Sequence, residues 1–207
     1  MGRNPLYAFF LKAALLLPVC LALWYWKAEW FNSPAAIVSG WIMRGLFPGW
    51  VEAVEWSQRT ISLVTTLRVP MVAGVKEGQY AVMVAESNPM LYGYGLPLFA
   101  ALLLASGEAR RWRKLMLGAL VLIPFQAWGI CFDLLKQVAI VAGPVVAAQT
   151  GISPWQREII AVGYQVGTLI LPTVAPIALW LALNRRLIPM LMLDRALQGK
   201  GDFSTPP

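Results

Sequence analysis

Histidine does not occur in the 207 residues, and only 13% of them are charged. The commonest neutral-pH general base and metal ligand is therefore missing, which argues against metal chemistry and against Ser-His or Cys-His catalysis by this chain alone. Cysteine is nearly as scarce. Cys20 and Cys131 both fall inside apolar runs, where a thiol is a small packing residue rather than half of a disulfide. Gly-x-Gly phosphate loops, metal-ligand spacings and internal repeats are absent from the sequence too. No metal or cofactor is expected.

What is abundant is apolar. Hydrophobic residues make up 58% of the chain, and tryptophan occurs ten times, the composition of a membrane protein with aromatic belts at headgroup level. Four stretches are apolar and long enough for a hydrocarbon core about 30 Å thick, which takes roughly 20 helical residues. They run from Leu6 to Trp26, from about Pro89 to Ala105, from Leu115 to about Leu135, and from Ile159 to Leu183. The first lacks an A-x-A cleavage site and reads as a span rather than a signal peptide. Pro18, Pro97, Pro124 and Pro172 interrupt these runs as kinks.

Basic residues orient the spans. "GEARRWRK" carries Arg110, Arg111, Arg113 and Lys114, and "NRR" carries Arg185 and Arg186. With spans alternating and both termini cytoplasmic, the cytoplasmic segments hold ten basic and three acidic residues and the exterior segments seven of each. That is the asymmetry of the positive-inside rule. The basic residues flank apolar runs, so they read as topology determinants beside membrane lipids rather than as a nucleic-acid surface.

The expected fold is an all-α integral membrane protein with four transmembrane helices and cytoplasmic N and C termini. Residues 1–26 form the first span. Residues 27–88 form an exterior insertion, residues 89–186 a three-helix transmembrane region with a basic cytoplasmic loop and an apolar exterior loop, and residues 187–207 a cytoplasmic amphipathic tail. Within the insertion, Ser33-Pro34 signals the start of an amphipathic helix. Its Ile37, Val38, Trp41 and Ile42 lie along the outer interface, with Trp24, Trp26, Trp30 and Trp50 nearby at headgroup level. "ISLVTTLRV" and "QYAVMVAES" flank the turn-prone "PMVAGVKEG" and read as a small β-hairpin. Two strands are marginal alone, so the hairpin must rest on something else. Val138 to Pro154, with Gly143, Pro144 and Gly151, reads as a short exterior or re-entrant helix.

Candidate functional residues come from polar positions inside apolar spans, which are costly and usually face a bundle interior or a cavity. In "FQAWGICFDLLKQ", Gln126, Gly129, Asp133 and Lys136 share one helix face. Cys131 lies about 200° around the helix from Asp133, on the apolar side, which suits an inert packing thiol better than a nucleophile. The fourth span carries Glu158, Ala161, Gln165 and Thr168 at the same spacing, with Arg157 adjacent. Antiparallel packing would set Gln126 and Gln165 at one depth and pair Asp133 with Arg157. The result is either ordinary interhelical bonding or a polar pocket that grips a peptide or a lipid headgroup. Asn88, Tyr92 and Tyr94 are candidates for an exterior interface, with the tyrosine hydroxyls toward water.

"LPVCLALWYW", "NPMLYGYGLPLFAALLLAS", "LIPFQAWGICFDLLKQ" and "SPWQREIIAVGYQVGTLILPTVAP" occur in that order across most of residues 10 to 186. In these segments the chain resembles the exosortase H-associated membrane proteins of Gram-negative bacteria. The resemblance implies an inner-membrane accessory that accompanies an exosortase, the membrane cysteine enzyme that processes proteins bearing a C-terminal sorting signal. That enzyme or its substrate is then the expected partner, beside membrane lipids. The exosortase pattern of Cys, Arg and His cannot be carried over, because the chain has no histidine. Two other classes stay open on the residues alone: a membrane enzyme using Asp133 or Glu158 as acid or base, and a carrier or binding protein for a lipid-linked or small polar ligand.

Overall fold

The computed structural model describes residues 5–57, 59–69, 81–107 and 110–185. The expected tail 187–207 and the turn "PMVAGVKEG" lie outside the described residues. Helices α1 (Pro5–Trp26) and α2 (Ala28–Leu46) are followed by strands β1 (Val51–Ser57), β2 (Thr60–Val69) and β3 (Ala81–Ser87). Then come α3 (Met90–Gly93), α4 (Gly95–Ala105), α5 (Arg111–Lys136), α6 (Pro144–Gln149), α7 (Pro154–Gln165) and α8 (Leu171–Leu183). A π turn, Gln137–Val141, prolongs α5, and a second, Val166–Ile170, joins α7 to α8.

Three helical stretches are long and apolar enough to cross a membrane: Leu6–Trp26, Arg111–Val141 and Pro154–Leu183. The second expected span is shorter. Met90–Ala105 is an apolar helical run of roughly 24 Å at 1.5 Å per residue, less than the hydrocarbon thickness. Its α4 packs against α1, α5 and α8. Phe99, Ala101 and Leu103 are almost fully buried in it. One apolar core joins Phe9 and Ala13 of α1, Leu103 and Ala105 of α4, Leu122 of α5 and Trp180 of α8. The start of α1, the end of α4 and the end of α8 therefore lie at one end of the bundle. At that end Lys114 donates to the Leu183 carbonyl (2.8 Å) and to Asn184 Oδ1 (2.9 Å), placing a cation on the carbonyl end of α8, where it is favoured.

At the other end the chain builds a meander of three antiparallel strands in the order β1-β2-β3, not the expected two-stranded hairpin. The β2–β3 pair is the hairpin read from the sequence. β1 was missed because "VEAVEWS" follows the turn Pro48-Gly49-Trp50 and carries two glutamates, which hide its alternation. Ile61, Leu63, Thr65 and Leu67 of β2 alternate inward onto Ile130, Leu134 and Val138 of α5 and its π turn and onto Val146 of α6. Each buried aliphatic side chain there contributes about 1.5–3 kcal/mol. A bulge breaks the β2–β3 register between Val64 and Arg68, and the Thr65 hydroxyl spans it by donating to the Met83 carbonyl at 2.7 Å.

Helix α2 starts earlier than expected, at Ala28, and Pro34 lies within it. The Ser33 hydroxyl turns back to the Glu29 carbonyl instead of capping a helix start. The side of α2 that packs inward is made of small residues, Ala35, Ala36 and Ser39 toward α5 and Gly40 toward Val54 of β1. Its large residues Trp30, Ile37 and Trp41 are exposed. Trp24 and Trp50, expected at headgroup level, are buried instead. Trp24 closes over Gly93, and Trp50 packs against Phe47 with the ring centroids 5.0 Å apart and the planes tilted by 34°.

Two glutamines dock the sheet onto the helices. Gln137 accepts from the Glu86 N–H (3.2 Å) and donates to the Glu86 carbonyl (2.6 Å). Gln149 does the same to Arg68, accepting at 2.9 Å and donating at 2.8 Å. Each side-chain amide thereby occupies the place of a neighbouring strand on an otherwise open edge. Gln137→Ala and Gln149→Ala are each expected to cost about 1–3 kcal/mol through the orphaned backbone groups. Hydrogen exchange should read faster exchange at the Glu86 amide in the first variant and the Arg68 amide in the second. Unchanged protection in both would show that these bonds do not hold the sheet.

Candidate functional site

The residue that organises the site is Asp133, on the last turn of α5 and only 7% exposed. A buried carboxylate needs both countercharge and donors. Lys136, three residues on, places Nζ 3.0 Å from Oδ1, and Ser87 at the end of β3 donates its hydroxyl to Oδ2 at 2.8 Å. The Tyr92 hydroxyl faces the same carboxylate and the Thr168 hydroxyl. Lys136 also lies over the Tyr164 ring, 3.5 Å from its centroid, a cation–π contact that spreads the charge. The cluster therefore ties together β3, α3, α5, α7 and the second π turn.

Glycine makes this convergence possible. A Cβ on Gly129 would stand 2.2 Å from Tyr92 Cδ1, so the ring lies directly on the α5 backbone. A Cβ on Gly167 would meet Gly129 Cα at 2.9 Å, which makes this a backbone-to-backbone crossing. Gly163 receives the Phe132 ring in the same way, and Trp128 Nε1 donates to the Gly163 carbonyl at 3.1 Å. "GYQVG", Gly163 to Gly167, is a small-xxx-small motif of the kind that lets membrane helices touch. It was legible in the sequence and not singled out there.

The expected pairing of Asp133 with Arg157 does not form. Asp133 is satisfied within its own helix by Lys136, and the Arg157 Nε is buried without a hydrogen-bond partner among the described residues. The two glutamines do not face each other either. Gln126 is buried and lines a cavity of about 10 Å³ with Tyr92, Gly95 and Pro172, whereas Gln165 and Glu158 are exposed. The reason is phase. Contact with α5 centres on Gly163 and Gly167, which puts Glu158 and Gln165 on the far side of α7 and Arg157, Tyr164 and Thr168 on its flank.

Tyr92, expected to point to water, is 2% exposed. Tyr94 is half-buried, and the exposed Asn88 accepts from the Met90 N–H at 3.0 Å, closing the turn into α3. Sequence reasoning missed Ser87, Tyr164, Gln137 and Gln149, whose partners are remote in the chain. Among the described residues no group of three or more metal-ligating side chains comes together.

The chain matches the family model described as exosortase H-associated membrane protein over residues 3–187. It belongs to that family. No curated protein and no solved structure matches it. The family description associates this membrane protein with an exosortase system. In this exosortase H-associated protein, Cys131 lies across α5 from Asp133, 5% exposed, with its sulfur 3.8 Å from the Ser39 carbonyl of α2. An enclosed thiol of this kind packs rather than reacts. Cys131→Ser is therefore expected to leave accumulation and function near normal, because the hydroxyl can donate to the same carbonyl. Lost function at a normal protein level would make the thiol a reactive group after all.

Proposed function

We propose that the protein is a non-catalytic inner-membrane accessory of an exosortase-type sorting system in a Gram-negative bacterium, binding the sorting enzyme or its substrate through the exterior sheet and the outer ends of α5 and α7. The observation that carries the reading is family membership over residues 3–187. The fold supports it, since the sheet is mounted on the bundle by Gln137, Gln149 and the Asp133 cluster and presents Val82, Val84 and Glu86 to the outside. A non-catalytic role is supported by Asp133, whose carboxylate is fully engaged by Lys136, Ser87 and Tyr92. The test is deletion of the gene beside an intact exosortase gene, with processing of a sorted protein as the readout. Processing should fall and return with the wild-type chain. Unchanged processing, or processing by the purified chain alone, would reject the accessory role.

The same reading takes four spans, with Met90–Ala105 as the short second one and both termini in the cytoplasm. It predicts that a cysteine placed at Glu55 in a background lacking Cys20 and Cys131 is labelled by an impermeant maleimide on intact spheroplasts. A cysteine at Arg113 should be labelled only after permeabilisation. Labelling of both from outside rejects the topology.

A further inference from the structure

Helix α2 leaves a trench between itself and the sheet. Ile37, Gly40, Trp41 and Arg44 form one wall, at helical spacing, and Val54 and Trp56 of β1 face them across a cavity of about 170 Å³. The trench is apolar except for one group. Arg44 is exposed, and its Nη2 reaches only the Val54 carbonyl, at 3.4 Å. Among the described residues it has no carboxylate partner. Trp41 is 71% exposed, Ile37 54% and Trp56 38%. An amphipathic helix with its large apolar side chains turned outward belongs in the headgroup and acyl boundary of a membrane, and tryptophan is the residue favoured at that depth.

We propose that this trench holds a segment of an acyl chain of an anionic phospholipid whose phosphate is bound by Arg44. Charge complementarity selects the ligand. A guanidinium beside an apolar slot, without a carboxylate of its own, matches a molecule that joins a hydrocarbon chain to a phosphate with no compensating cation. Phosphate oxygens suit the planar donor fork of arginine. A zwitterionic lipid fills the slot equally well but brings a choline ammonium that offsets its phosphate. Gly40 is where the slot can be filled, because a Cβ there would make only ordinary contact with Val54 Cγ1 at 3.4 Å. A longer side chain would then extend into the space the acyl chain takes.

The test uses the full chain purified in detergent, incubated with equal amounts of phosphatidylglycerol and phosphatidylcholine, with the retained lipids counted by native mass spectrometry. One basic residue near a membrane surface corresponds to about 1 kcal/mol, so the wild type should retain phosphatidylglycerol about fivefold over phosphatidylcholine. Arg44→Gln should bring that ratio near one, while Arg44→Lys keeps part of it. Arg59→Gln, at an exposed arginine held on the Tyr25 ring, should leave it unchanged. Gly40→Leu should lower retention of both lipids, and thermal unfolding in detergent checks that each variant is folded. The Arg44 pair carries the test if Gly40→Leu fails to fold. Equal retention of the two lipids by the wild type, or undiminished phosphatidylglycerol in Arg44→Gln, overturns the proposal.

Discussion

Gly129→Ala should be among the most damaging single-methyl changes in the protein. The new Cβ would fall 2.2 Å from Tyr92 Cδ1 and 2.7 Å from Cγ, and the ring is 2% exposed and cannot swing out. On the neighbouring side the Gly167 backbone already touches Gly129, so α5 cannot retreat. Overpacking costs about 1–3 kcal/mol, and dislodging the Tyr92 hydroxyl adds about 1 kcal/mol per bond lost, for a total on the order of 3 kcal/mol. Steady-state amounts in the membrane and unfolding temperature in detergent should both fall. Tyr92→Leu alone should also destabilise, but combined with Gly129→Ala it should be less harmful than the two costs added, because they share one contact. Strict additivity would mean that the ring does not lie on Gly129.

The second large effect is expected at Asp133. Asp133→Ala removes the acceptor of Ser87 and Tyr92 and the countercharge of Lys136 in one step. Breaking a buried pair costs about 3–5 kcal/mol, and Lys136 moderates this because it keeps the Tyr164 ring and its side chain is 23% exposed. A loss on the order of 3 kcal/mol is expected in detergent unfolding. Asp133→Asn should cost less, since the amide oxygen still accepts from Ser87. Asp133→Leu with Lys136→Met should recover part of the loss, as apolar replacement of a whole pair often does. Reversing the charges of Asp133 and Arg157 together should recover nothing. Rescue by that double reversal would restore the pairing that the geometry denies.

Three of the four expected spans were legible because hydropathy integrates over many residues, and errors at single positions cancel. The stripe of Gln126, Gly129, Asp133 and Lys136 was legible because α5 is regular from Arg111 to Lys136 and helical phase can be counted. Its partners were not. Ser87 and Tyr92 reach Asp133 from 46 and 41 positions away in sequence, roughly, and only the fold closes those loops. Tyr92 resembled an interfacial tyrosine because it follows the Asn88-Pro89 turn at the start of an apolar run, yet what decides its place is Gly129, on another helix. The partner assigned to α5 was out of phase because stripe counting followed the polar residues of α7, whereas the contact follows Gly163 and Gly167. Gln137 and Gln149 stayed invisible for a different reason. Their partners are backbone groups, which leave no mark in side-chain patterning.

The π turn Val166–Ile170 makes the junction of α7 and α8 unusually tolerant of one change in length. A π turn holds one more residue than the α-helical path it replaces, so removal of a single codon there can leave a continuous helix of nearly the same length. Nothing in hydropathy or composition would record the loss. Each helical residue carries about 100° of rotation, so a deletion from the regular part of α8 would turn everything downstream by that amount about the axis, whereas the wider π turn absorbs the loss and keeps the phase. Trp180, now stacked on Phe9 with ring centroids 5.2 Å apart, would leave the bundle core after a deletion from regular helix ahead of it in α8, but not after a deletion from the π turn. The extra residue thus works as slack between the two halves of one helix, and related chains should tolerate its loss far better than a deletion elsewhere in α7 or α8.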